Sequence, residues 1–116
     1  MAYQNKILII EHDDFLRELI GNLLHKKGGY ILNGHTIKRG IQNSHNHEIS
    51  TIILGNSCPS FKGKQTLHYL KKELNAPTLD IFLLNHHPKS ADYIPEDHQF
   101  MTNELSVKEI LDRIPV

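Results

Sequence analysis

The chain has 116 residues, with 13 Lys+Arg balanced by 13 Asp+Glu and 9 histidines besides, so its formal net charge is zero. That length suits one domain, and the balance gives no electrostatic reason to expect nucleic acid or an anionic membrane as partner. At 39% hydrophobic and 22% charged the composition is that of a globular protein rather than a disordered or fibrous one, and the single cysteine excludes an internal disulfide framework and zinc sites built on paired thiolates.

The N-terminal stretch MAYQNKILIIEHDD carries a short apolar run broken by acids. It has the make-up of neither a signal peptide nor a membrane span, so a soluble cytoplasmic domain is expected. Ile7-Leu8-Ile9-Ile10 is unbroken and rich in β-branched residues, as in a strand covered on both faces. Asp13 and Asp14 then suit the cap of a helix whose apolar stripe holds Phe15, Leu16, Leu19, Ile20, Leu23 and Leu24. Lys26 and Lys27 favour its C-terminal dipole, and Gly28-Gly29 ends it.

Tyr30 to Gly34 reads as a second strand, and Thr36 to about Ser44 as a weak helix with only Ile37 and Ile41 apolar. Ile52-Ile53-Leu54 makes a third buried strand ending at Gly55. A loop, Asn56 to Ser60, leads to a helix carrying Leu67, Leu70 and Leu74, closed by Asn75 and Pro77. Ile81 to Leu84 is a fourth strand and Phe100-Met101-Thr102 a short fifth. Ser106 and Glu109 fit a capping box for a last helix with Ile110, Leu111 and Ile114, ended by Pro115.

Buried strands alternating with helices argue for a doubly wound parallel α/β sheet covered on both faces. Sites in such folds gather at the carboxyl ends of the strands. Those ends hold Glu11 and His12, Gly55 to Ser57, Asn85 and His86, and Thr102 and Asn103.

The pattern resembles the receiver domain of two-component response regulators. ILIIEHDDFLREL is similar to that family's first strand, acid pair and first helix. IILGNSCPSFKG is similar to its phosphoacceptor strand and loop, with Pro59 and Gly63 at two recurring places. FMTNELSVKEIL is similar to its fifth strand and last helix. The resemblance spans nearly the whole chain and implies a flavodoxin-like sheet in the order 2-1-3-4-5. It also implies a single receiver-like domain over residues 1–116 with no output domain, working in phosphorelay-type signalling.

Carried over residue by residue, the family's chemistry meets substitutions throughout. The phosphoacceptor aspartate falls at Gly55, and the magnesium-binding acid pair at Glu11 and His12. The hydroxyl that bonds the phosphoryl group falls at Asn85, the phosphate-pairing lysine at Asn103, and the proline after it at Glu104. The aromatic switch position holds Phe100. Magnesium wants several oxygen ligands, and phosphoryl transfer wants a nucleophile and charge neutralisation. The expectation is therefore a pseudo-receiver: not an enzyme, with no catalytic residue, no metal and no cofactor. It would act through a protein partner, a sensor kinase or another signalling protein, and a homodimer stays open.

The segment 86–99 is shorter than the family's usual fourth connection and contains Pro88 and Pro95. At most one helical turn is expected there, around Ser90 to Ile94. The remodelled face from Tyr93 to Phe100, with Glu104, is where a partner contact is expected. Two other readings follow from the residues: a receiver phosphorylated at a non-standard position such as Ser57, or a metal or ligand sensor using His86, His87, His12 and Glu11. His45 and His47 read as loop residues. Cys58, in the loop entering the third helix, reads as an ordinary lone cysteine, with a redox switch of helix-lowered thiol pKa as the alternative, and Lys62, Lys64, Lys71 and Lys72 form a basic strip read as a solvated helix face.

Overall fold

The computed structural model describes residues 5–87 and 89–116; the proline expected to restrict the fourth connection, Pro88, lies outside them. The chain runs β1 (Lys6–Ile10), α1 (Asp14–Lys27), β2 (Tyr30–Gly34), α2 (Ile37–Asn43), β3 (Thr51–Gly55), α3 (Lys64–Glu73), β4 (Asp80–Asn85), β5 (Gln99–Met101) and α4 (Val107–Arg113). All neighbouring strands pair in parallel, in the order β2-β1-β3-β4-β5. This is the doubly wound sheet that the sequence predicts.

The strand pleat sends alternate side chains to opposite faces. Leu8, Ile10, Ile52, Leu54 and Leu83 pack toward Ile37 of α2 and Leu67 and Leu70 of α3. Ile7, Ile9, Ile53, Phe82 and Leu84 pack toward Ile20 and Leu24 of α1 and Ile110 of α4. Ile20 and Leu24 are fully buried, and each such side chain contributes about 2 kcal/mol relative to an exposed one. Phe15 departs from the expected stripe: the next residue, Leu16, packs against the core, while Phe15 is 76% exposed.

Local signals set the helix ends. The Asp13 carboxylate accepts from the Leu16 N–H at 2.9 Å, and Gly28 closes α1 in the left-handed region at φ 115°. Asn75, at φ 51°, does the same after α3. At α4 only half of the capping box forms. Ser106 Oγ accepts from the Glu109 N–H at 3.4 Å, while the Glu109 carboxylate turns to Arg113 at 3.7 Å.

Among its described residues the connection between β4 and β5 forms no α-helix, as expected, but the expected turn is displaced. A 3-10 turn spans Glu96–His98, directly after Pro95, and not Ser90 to Ile94. β5 likewise begins one residue early, at Gln99, and Thr102 opens a second 3-10 turn, Thr102–Glu104. Gln99 explains both shifts. Its buried amide accepts from the Ala91 N–H at 2.8 Å and donates to the carbonyls of Ala91 and Ile94 at 2.8 and 2.9 Å. One side chain thus satisfies backbone groups that a helix would otherwise pair internally. No helix among the described residues is long and apolar enough to cross a membrane.

Candidate functional site

Register brings the site together. Ile10 pairs with Leu54 and Gly55 with Leu84, so Glu11, Gly55 and Asn85 meet at the carboxyl end of the central strands. Glu11 is fully buried. Its Oε1 lies 2.6 Å from His86 Nε2, and its Oε2 accepts from the Asp13 N–H at 2.8 Å. The Glu11 backbone carbonyl accepts from Arg17 at 2.8 Å, and Arg17 also pairs with Asp14 at 2.7 Å.

The Glu11 side chain lies against the backbone of Gly55. A Cβ added at position 55 would stand 2.8 Å from Glu11 Cδ and closer still to Oε1. The long acid on β1 and the missing side chain on β3 are thus complementary in space. A carboxylate at 55 would collide with the one already there.

Beside this pair runs an amide network. Asn56 Nδ2 donates to Asn85 Oδ1 at 3.2 Å, and Asn56 Oδ1 accepts from the His86 N–H at 2.9 Å. Asn85 Nδ2 donates to Gln99 Oε1 at 2.9 Å. Gln99 in turn holds the loop that carries Ala91 and Ile94, and its own carbonyl accepts from Arg113 at 3.1 Å. The strand ends are therefore linked to the segment that replaces a helix. Buried amides fully engaged in this way are rigid, because each lost partner would cost about 1–3 kcal/mol.

The other sequence-derived candidates fall elsewhere. His12 is exposed, as are Asn103 and Glu104 in the second 3-10 turn. Phe100 is buried at 2% exposure, near Phe82 and under the Arg113 guanidinium 5.4 Å from its ring. It is a core residue, so it drops out of the expected Tyr93-to-Phe100 contact face. Tyr93 is half-buried and packs over Gly63; burial, then Asp92, pushes its hydroxyl pKa up.

Cys58 fits the ordinary-cysteine reading and not the redox-switch alternative. It is buried, its Sγ faces the Ile10 carbonyl at 3.7 Å, and burial followed by the nearby Glu11 pushes its pKa up to about 11. That is an inert thiol, not an activated one.

The sequence reading placed Asn56 at a strand end without giving it a role, and missed Gln99. Their signal was faint: a lone amide after a buried strand, and an amide opening a short apolar strand. As for metals, no group of three or more His, Cys, Asp or Glu gathers among the described residues. Magnesium wants near-octahedral oxygen ligation. Glu11 has both oxygens engaged, His12 points to solvent and Gly55 offers no ligand, so this donor set does not fit that ion.

No family model and no curated protein matches this sequence. Solved structures do match. Chemotaxis protein CheY4 of Vibrio cholerae superposes with a TM-score of 0.77 at 11% identity, over 95% of each chain. A CheY-like response regulator receiver domain protein from Methanospirillum hungatei gives 0.74 at 13% identity, over 95% of this chain and 90% of that one. A receiver domain protein from Clostridium thermocellum gives 0.62 at 23% identity, over 72% and 67%. The fold is that of a response regulator receiver domain, of the CheY-like kind.

Proposed function

We propose that this chain is a pseudo-receiver: a receiver-fold signalling domain that acts by protein–protein interaction, is not an enzyme, and does not undergo aspartyl phosphorylation. One observation carries the reading. The Glu11 carboxyl group, bonded to His86 and Asp13, fills the space over Gly55 that a phosphoacceptor side chain would need. Asn85 supports it, because its amide is committed to Asn56 and Gln99 rather than presented to a ligand.

The partner contact has a surface to use. Beside His86, a cleft of about 380 Å³ between α1 and α4 is lined by Leu16, Leu19, Leu105 and Ile110, with Phe15 and Val107 on its rim. Phe15 is 76% and Val107 48% exposed. Apolar side chains left in water beside a cleft favour a protein partner, a sensor kinase or another signalling protein.

The test is a titration of isotope-labelled protein with magnesium and beryllofluoride, a phosphoryl mimic, alongside incubation with a labelled small phosphodonor. The expected result is no label incorporated and no saturable amide shift at Glu11, Gly55 or Asn85. Saturable shifts clustered there would overturn the reading.

A further inference from the structure

A groove of about 780 Å³ lies between α2 and α3, formed by residues that take no part in the Glu11 site. Its apolar lining comes from Ile37, Pro59 and the half-exposed ring of Tyr69. Lys38 and Lys62 stand at it, and no acidic residue lines it. We propose that this groove binds a small amphipathic anion, a flat apolar body carrying one phosphate or carboxylate.

The charge pattern argues for the anion. Arg17, Lys108 and Arg113 each pair with a carboxylate on their own helix. Lys38 and Lys62, like Lys64, Lys71 and Lys72, have no ion pair and no side-chain hydrogen bond among the described residues, so both ammonium groups at the groove are available to a ligand. Helical spacing puts Gln65, Tyr69 and Lys72 on one face of α3, at i, i+4 and i+7, so a further ammonium extends the same stripe. Ammonium groups bind phosphate and carboxylate as point charges.

The walls are fixed before any ligand arrives. Thr36 Oγ1 accepts from the Arg39 N–H at 3.1 Å, which holds the turn bearing Lys38. Thr66 Oγ1 accepts from the Lys62 N–H at 2.7 Å, which ties the Lys62 loop to α3. Prearranged walls reduce the ordering cost of binding. A cavity of this size holds one small organic molecule, with the Tyr69 ring available for offset stacking.

Phenyl phosphate is the probe, with inorganic phosphate and phenol as its two halves, followed by amide shifts. The expected result is saturable shifts at Ile37, Lys38, Lys62 and Tyr69 with a Kd of about 1 mM for phenyl phosphate and weaker binding of either half. The Lys38→Gln/Lys62→Gln double variant should weaken it about tenfold, the sum of two exposed charge contacts. All three substituted side chains are surface groups, so Tyr69→Ala should also fold and lose binding severalfold. Lack of saturation by about 10 mM, undiminished binding in the double variant, or inorganic phosphate matching phenyl phosphate would each overturn the proposal. None of these outcomes depends on how the Glu11 site behaves with beryllofluoride.

Discussion

Glu11 and His86 meet across the carboxyl end of the sheet, Oε1 to Nε2 at 2.6 Å, with the acid fully buried and the imidazole 22% exposed. Such a pair is costly to break because the buried member is left without its partner. His86→Ala should therefore lower stability by about 2 kcal/mol, read as a lower urea midpoint at unchanged m-value. Glu11→Met combined with His86→Leu should recover most of that loss, since apolar groups of similar volume need no partner. A His86→Ala midpoint equal to that of the parent would show the contact to be idle.

The second half of the same arrangement is Gly55. A methyl group there meets Glu11 Cδ at 2.8 Å, so Gly55→Ala should cost about 1–3 kcal/mol by overpacking. In the Glu11→Ala/Gly55→Ala double variant the methyl occupies vacated space, and the two effects should fall short of additivity. Gly55→Asp should not accept label from a small phosphodonor. The new carboxyl group would crowd Glu11, and position 103 still supplies no lysine. Strict additivity in the thermal or urea cycle would dismiss the spatial coupling.

How far the sequence was legible follows from which contacts are local. Ile7 to Ile10 and Ile81 to Leu84 announce buried strands because every side chain in them meets a covered face. Asp13, Gly28 and Asn75 announce helix ends because capping is a matter of neighbouring residues. Phe15 fits the helical period and yet stands in solvent, since periodicity cannot say how wide the covered face of a helix is. Glu11 filling the place over Gly55 is a contact between strands far apart in the chain, visible only once Ile10 and Leu54 are in register. Gln99 was out of reach for the same reason: its partners are backbone groups of a loop that has no period.

Gln99 gives a prediction of its own. Gln99→Leu keeps the volume but strands the Ala91 N–H, the Ala91 and Ile94 carbonyls and the Asn85 amide. The expected loss is about 2–3 kcal/mol. Hydrogen exchange at Ala91 should accelerate by more than at the β1 and β3 amides, because the loop opens before the sheet does. Equal acceleration throughout would mean that the side chain supports the whole fold and not this loop.

Cys58 should be slow to react. With its thiol pKa pushed up to about 11 by burial and then by Glu11, almost no thiolate exists at neutral pH. Alkylation by iodoacetamide in native buffer should track the population of unfolded chain and become immediate in denaturant. Fast native labelling, at the rate of a free thiol, would contradict the buried placement.

His98 predicts the direction of a pH effect. Its ring stacks on Phe82 at 4.4 Å, and its two nitrogens lie 2.7 Å from Asp80 and 2.8 Å from Asp97. A neutral imidazole carries one N–H, so two facing carboxylates call for the doubly protonated ring. Burial pulls the pKa down, and the hydrogen bonds to Asp97 and Asp80 overcome that and leave it above the ordinary 6.5. A raised folded pKa makes the contribution complete below 6.5 and lost as pH climbs through the folded value. Asp97 closes the acid side: its hydrogen bond to His98 lowers its pKa below 3.8, so its share persists until the pH falls below that. The urea midpoint should accordingly fall from pH 6 to pH 8.5, and His98→Gln should flatten that slope and also remove the share of Asp97 on the acid side. A parent protein as stable at pH 8.5 as at pH 6 would show that the ring does not clip the first 3-10 turn to β4.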